Sequence, residues 1–358
     1  MGISQLDIVD FRNLRHVELI PDALFNIIVG HNGSGKTNLL EAIYLLNRGR
    51  SFRLAKHRNM VRIGASCATV FAQINSPSVH RIGVEIEGNR FKGKLDGQAL
   101  RRSSDLAKTF PLTLITPDCS KLIQSSPGIR RKFLDLGLFH VKQDYFATWR
   151  RFMKALNQRN HALRIGDKRQ AGIWSAQLAQ YGTWLHNARS DYICEFSESA
   201  VTILKELFSF NELCIQYQQG WEQRISYQDA LDHSIEADLK RGFTQRGPHR
   251  ANLNILIDGQ RAEHYLSGGE QKIVACALIL AQSALYKRIT KRQYTVLVDD
   301  FAAELDGTRR ANLLKVLLSL GNQVFLTATT KEVIKLKDNE QHSMFHVKQG
   351  LVVQDNVS

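Results

Sequence analysis

The sequence predicts an α/β fold interrupted by a largely helical segment, and three observations carry that expectation. Apolar, strand-length runs stand near both ends of the chain, at Leu24 to Val29 and at Thr295 to Val298, each followed by a helical pattern. Between Ala68 and Gln98 short alternating runs are punctuated by Gly and Asn turns, the signal of antiparallel hairpins. From Lys121 to about Leu239 apolar residues recur at helical spacing instead.

Taken in order, ISQLDIVDF and HVELIP read as edge-like strands, and Leu24 to Val29 as a buried one. Residues 30–37 form a loop. Asn38 to Leu46 (NLLEAIYLL) is apolar on nearly every face, which predicts a deeply buried helix. EIEGNRF and KLDGQAL are hairpin sequences. The helical stretch holds IRRKFLDLGLFH, DYFATWRRFMKALNQRNHALR and the run from Ile173 to Phe208. Strand signals return at Leu213 to Gln218 and at Asn252 to Ile257, and a helix follows Gly269. The strand Thr295 to Val298, a helix from Arg309 to Leu320, the strand Gln323 to Thr327 and a hairpin-like tail complete the pattern.

At 358 residues the chain has room for one large domain or two ordinary ones. Lys and Arg exceed Asp and Glu by 48 to 34, a net charge of +14. Such an excess attracts polyanions, but the charge alone does not choose between nucleic acid and an anionic membrane. The five cysteines (Cys67, Cys119, Cys194, Cys214, Cys276) are scattered, which argues for reduced thiols rather than disulfides or zinc. No stretch is expected to cross a bilayer; the most apolar run, Ile273 to Ala281, is far short of the roughly 20 residues required. The start of the chain has no signal-peptide pattern, and Leu6 stands where myristoylation needs Ser or Thr, so a cytoplasmic location is expected.

Gly30-His31-Asn32-Gly33-Ser34-Gly35-Lys36-Thr37 fits G-x-x-x-x-G-K-[ST], the phosphate-binding P-loop, and lies between a strand and a helix as that motif requires. Its glycines let the backbone curl so that successive N–H groups face phosphate oxygens. The helix start at Asn38 adds partial positive charge. Lys36 is expected on the β and γ phosphates and the Thr37 hydroxyl on Mg²⁺. A Gly-rich turn with a chance lysine is the bland alternative, and the flanking strand and helix speak against it.

Leu266-Ser267-Gly268-Gly269-Glu270-Gln271-Lys272 precedes an apolar helix; Ser267 is a candidate cap, and a helix start with two glycines is a second anion site. Val296-Leu297-Val298-Asp299-Asp300 ends a buried strand in paired carboxylates. Asp299 is the expected Mg²⁺ residue, accepting from metal-bound water beside the P-loop. LSGGEQ resembles the signature of ABC-type ATPases. That resemblance implies ATP as the nucleotide and a site completed in trans, with Ser267, Gly268 and Gly269 of one subunit covering the γ-phosphate on the P-loop of another. An ATP-dependent homodimer follows. The resemblance also puts Asp300 where most ABC ATPases have a glutamate that polarises water, and makes Asp306 the D-loop aspartate at the dimer seam. Asp300 is one methylene shorter, so slow hydrolysis is expected, with Lys36 and Ser267 completing the catalytic set. Residues 324–330 lack the histidine usual in that class; Thr327 or Thr329 could bond phosphate or water but carry no charge.

Ile8-Val9-Asp10-Phe11-Arg12-Asn13 resembles the opening of SMC-like heads. Gly49-Arg50-Ser51-Phe52-Arg53, LITPD, RRKFLD, LNQRNHALR, Gly247-Pro248-His249-Arg250 and DDFAAELD extend the likeness along nearly the whole chain, and together they resemble the RecF family. Asn252 departs from the aspartate expected after the GPHR segment. The resemblance implies an ABC-type, SMC-like P-loop ATPase lobe with an inserted, largely helical lobe: 1–118 with the Walker A loop, 119–242 helical, and 243–358 with signature, Walker B and D-loop. It implies a recombination mediator for gap repair and replication restart. Such a protein binds gapped or duplex DNA under ATP control and works with RecR and RecO to help RecA load. Basic clusters at Arg48, Arg50, Arg53, Lys56, Arg58 and Arg62, at Arg101 and Arg102, at Arg130, Arg131 and Lys132, and at Arg150, Arg151 and Lys154 are candidates for DNA phosphates. No helix-turn-helix, zinc finger or RNP signature is present, so sequence-specific readout is not expected. The competing reading is the ATPase subunit of a membrane transporter, which predicts the glutamate and histidine this sequence lacks.

Overall fold

A computed structural model describes residues 2–53, 56–76, 78–334, 336 and 341–355. The chain divides into two compact units, one of residues 1–119 and 286–358 and one of residues 120–285.

The first unit opens with β1 (Gly2–Phe11), β2 (Leu14–Leu19) and β3 (Phe25–Val29), then α1 (Lys36–Arg48). There follow β4 (Cys67–Ser76), β5 (Ser78–Glu87), β6 (Arg90–Leu95), β7 (Gln98–Ala99), α2 (Ser103–Thr109) and β8 (Leu112–Ile115). The second unit holds α3 (Lys121–Gln124), α4 (Pro127–Val141), α5 (Tyr145–Arg164), α6 (Lys168–Leu207), β9 (Leu213–Gln218) and α7 (Tyr227–Arg241). It continues with β10 (Asn252–Ile257), β11 (Gln260–Arg261), α8 (Ala262–Tyr265) and most of α9 (Gly268–Thr290). The chain then rejoins the first unit with β12 (Thr295–Val298), α10 (Gly307–Ser319), β13 (Gln323–Ala328), β14 (His342–Lys348) and β15 (Leu351–Gln354).

Two sheets build the first unit. One is antiparallel, in the order β2-β1-β4-β5-β6-β7; the other runs β15-β14-β3-β13-β12-β8, parallel except for β15. β3, β12 and β13 are buried at every position, as strands covered on both faces must be. β1 is not an edge strand: β2 pairs on one side and β4 on the other. Its alternation comes from one buried face and one exposed face, a pattern that edge and interior antiparallel strands share. One continuous core joins Leu39, Ile43 and Leu46 of α1 with Ile8 and Val84 of the antiparallel sheet and Phe325 of β13. Trimming such a side chain to alanine costs about 2–5 kcal/mol, so the helix that starts at the P-loop is firmly seated.

In the second unit buried ion pairs tie the helices together. Arg159 of α5 reaches Asp238 of α7 at 2.8 Å, both side chains 0% exposed, and donates to Ser175 of α6 at 2.9 Å. Arg189 of α6 donates to Asp135 of α4 at 2.7 Å. Residues 243–285, expected from sequence with the ATP-binding region, group with the helical unit, because β10 pairs in register with β9 and Arg130 of α4 donates to Asn252 at 3.0 Å. α9 is long and apolar enough by length and composition to cross a membrane, contrary to the sequence reading. Of its most apolar window 67% is buried inside the fold, as a core helix would be.

Candidate functional site

The loop between β3 and α1 can be built only with glycine at two points. Gly30 and Gly35 have φ of 158° and 123°. A Cβ on Gly30 would lie 2.3 Å from the Val347 carbonyl oxygen, and one on Gly35 2.8 Å from Asn13 Oδ1. The loop is then fastened from outside: Asn13 Nδ2 and the Gly350 N–H both donate to the Ser34 carbonyl, each at 2.9 Å. Asn38 Nδ2 donates to Asn13 Oδ1 at 2.7 Å. Lys36 Nζ donates to the carbonyls of Gly30 at 2.6 Å and His31 at 3.0 Å. Burial lowers its ammonium pKa, and Asp300 and Asp299 pull the other way. Ser34 Oγ is buried without a hydrogen-bond partner, and His31, Asn32 and Gly33 are exposed. Unpaired N–H groups of a first helical turn and a buried, unsatisfied hydroxyl suit phosphate oxygens.

β12 delivers Asp299 to the same place. Asp299 Oδ1 accepts from the Thr37 hydroxyl at 3.0 Å and from Thr327 at 2.9 Å. Burial raises this carboxyl pKa, against the Thr327 and Thr37 hydrogen bonds and the Arg53 charge. Thr37 and Asp299 are the hard oxygen donors that Mg²⁺ takes. Asp300 follows, exposed, with φ of 51°, and its N–H donates to Thr327 Oγ1 at 2.8 Å. The loop and both carboxylates line one cleft of about 270 Å³.

The arrangement assigns Thr327 differently from the sequence reading. It is 0% exposed, and its hydroxyl, in the wall of the cleft, bonds both aspartates; Thr329 is exposed. Two contributors escaped sequence reasoning. Asn13 braces the loop, and Arg53 lines the cleft, donating to Asn38 Oδ1 at 3.0 Å, rather than standing with the DNA-facing cations. The quoted segments DFRN and GRSFR contain both, but without their partners they show only likeness.

Ser267, Gly268 and Gly269 are carried by the second unit at the start of α9. Glu270 accepts from the Ser267 N–H at 2.9 Å and from its hydroxyl at 2.8 Å, one half of a capping box. Ser267 and Gly268 are exposed, and a Cβ on Gly268 would meet nothing within 4 Å. Asp306 is exposed and caps α10, accepting from the Arg309 N–H at 2.8 Å. It does not line the cleft.

The basic clusters separate by burial. Arg130 is 6% exposed and donates to carbonyls of Ile123 and Ser125, and Arg131 donates to the Ala251 carbonyl at 2.7 Å. Arg130 is therefore committed within the fold, and Arg131 is half-buried. Arg62 is paired with Asp10 at 2.6 Å. Arg50, Lys56, Arg58, Arg101, Arg102, Lys132, Arg150, Arg151 and Lys154 are exposed.

Known proteins resemble this chain in sequence and fold. The family model "RecF/RecN/SMC N terminal domain" matches residues 2–353. The DNA replication and repair protein RecF of Stutzerimonas stutzeri (strain A1501) is 38% identical over 361 residues, covering 99% of this chain and 98% of that protein. A solved structure of the recombination mediator protein RecF with ATP, of the RecFOR pathway, superposes with a TM-score of 0.86 at 28% identity, covering 99% and 98% of the two chains. An Smc head bound to the C-winged helix domain of ScpA, 17% identical with a TM-score of 0.64 over 100% and 98% of the chains, shares the fold. With an ABC-type, SMC-like head, a P-loop cleft closed by Asp299 and relatives alike over their full length, the chain belongs to the RecF family.

Proposed function

We propose that this chain is an ATP-gated DNA-binding protein that mediates recombination at gaps. The observation that carries the reading is the bond between Thr37 and Asp299, which joins P-loop and Walker B strand across 262 residues into one phosphate and metal site. ATP would be held by residues 30–38, with Lys36 on its outer phosphates. Mg²⁺ would be held by Thr37 and Asp299, where it neutralises developing charge on the phosphates. Asp300, exposed beside the cleft, is the acceptor for the attacking water's proton; its short arm makes hydrolysis slow. Ser267, Gly268 and Gly269 are free to meet the phosphates of a second copy, which makes the active form a homodimer with Asp306 at its seam.

The exposed cations bind DNA through phosphates, so affinity falls steeply with salt and carries no sequence preference. The relatives' names give DNA replication and repair and recombination mediation in the RecFOR pathway, and on that basis we assign this chain RecR- and RecO-type partners and a role in RecA loading. The test is binding of a fluorescent gapped duplex with and without ATP at two salt concentrations. Tight, ATP-dependent, salt-sensitive binding is expected, and Lys36→Met is expected to remove the ATP dependence. Binding indifferent to ATP would reduce the charge to nonspecific attraction and end the reading.

A further inference from the structure

We propose that Glu41 and Ser51 are positioning residues that aim Arg53 at the terminal phosphate of the bound nucleotide, an inference that rests on the ATP reading above. Glu41 lies on α1, little more than one turn beyond Lys36, and is 0% exposed. A carboxylate is rarely so buried unless it is paired. Arg12 donates to both of its oxygens, at 2.7 and 2.9 Å, a bidentate fork. The Ser51 hydroxyl donates to the same carboxylate. Ser51 Oγ in turn accepts the backbone N–H of Arg53 at 2.9 Å. Phe52 packs edge-on against Tyr44 of α1 with ring centres 5.4 Å apart, and the Arg53 guanidinium stands 5.9 Å over the Phe52 ring. The three consecutive residues 51–53 are therefore fastened to the helix that starts at the P-loop.

The charges explain why this is more than bracing. Two guanidiniums share one carboxylate, and Arg12 alone satisfies it. Arg53 is 3.8 Å away and 37% exposed, so its backbone is fixed while its guanidinium, less closely paired than that of Arg12, reaches the cleft. Arg53 thus sets a positive charge in the wall of the cleft, hydrogen-bonded to Asn38 and acting on the Asp299 carboxylate. Thr37 and Asp299 would hold a metal that neutralises charge on the outer phosphates, so a cation on that side would meet the outermost one. A donor fixed in advance costs no reorganisation when the anion arrives.

The experiment is calorimetric binding of ATP and of ADP, each with Mg²⁺, to the full chain carrying Ser51→Ala, Glu41→Gln, Arg53→Ala, or Ser51→Ala with Arg53→Ala. Ser51→Ala and Glu41→Gln are expected to weaken ATP about tenfold and ADP no more than about twofold, as loss of one charge-assisted contact to the γ-phosphate would. On the Arg53→Ala background Ser51→Ala should add nothing, because a residue acting through Arg53 has nothing left to act on. Equal losses for ATP and ADP, or full additivity with Arg53→Ala, would overturn the proposal and leave a structural brace. Glu41→Gln strips Arg12 of its anion and can unfold the chain, so Ser51→Ala, checked by thermal melting, carries the decision. If Lys36→Met leaves ATP binding unchanged, the ATP reading itself falls and takes this inference with it.

Discussion

Asp299 carries its charge in a place that resists it. Two threonine hydroxyls and Arg53 favour the carboxylate, yet burial outweighs them and raises the pKa. The folded state thus binds a proton here more readily than the unfolded chain. Its contribution to stability is fully present below the unfolded value of 3.8 and declines as pH rises through the raised folded value. A divalent cation reverses that penalty. Asp299→Asn keeps the shape and an Oδ1 that both threonines can still reach. The variant should therefore melt no lower than the parent at pH 7 without ligand, while Mg²⁺ loses at least about tenfold of its tightening of ATP. A clear drop in melting temperature, or undiminished Mg²⁺ dependence, would count against Asp299 as the metal residue. Residues of this kind were legible because strand, loop and carboxylate come in a fixed local order. Arg130 and Arg150 were not separable: each stands in a basic run. What buries Arg130 is an arrangement with carbonyls and with Asn252, a partner 122 positions away.

At the scale of elements, the start of α9 is the informative one. Ser267 and Gly268 face open space, and Glu270 rather than Ser267 supplies the capping acceptor. Ser267→Arg should therefore leave α9 folded and ATP binding intact while blocking ATP-driven dimers, because a bulky cation would occupy the contact surface. Light scattering with ATP checks this; normal dimers in the variant would refute a signature acting in trans. Strands with a continuous or alternating apolar run were the easiest elements to read. β9, β10 and β12 fall on the expected residues, since continuous or alternating apolar runs leave little choice of boundary. Whether β1 had one neighbour or two could not be read, because pairing is decided by strands distant in sequence.

For the whole molecule, the division into two units was visible as a change from mixed to helical periodicity, but its second boundary was not, because β10 looks alike whichever unit it joins. The helical unit also has its own pH response. His249, from the GPHR segment, is half-buried beside Phe152, and its Nε2–H donates to the Thr244 carbonyl at 3.0 Å. Burial lowers its pKa from 6.5 to about 4. The unfolded chain therefore takes up a proton first as pH falls, so stability is present above the unfolded value and is lost between the two. At pH 5 the loss from this group alone is about 2 kcal/mol relative to pH 7. Urea unfolding at the two pH values should show it, and His249→Gln should flatten the difference; an unchanged pH dependence would exclude His249 as its source.

The left-handed backbone at Asp300 has a consequence for timing. Aspartate and asparagine enter that region far more readily than longer side chains, which cost about 1–2 kcal/mol there. A carboxylate with greater reach toward water would bear that cost, as Glu304 does at φ 62°, and the φ of 51° at Asp300 favours the shorter arm. On the proposed reading, how long the protein grips DNA before release is a tempo to which a torsion angle contributes.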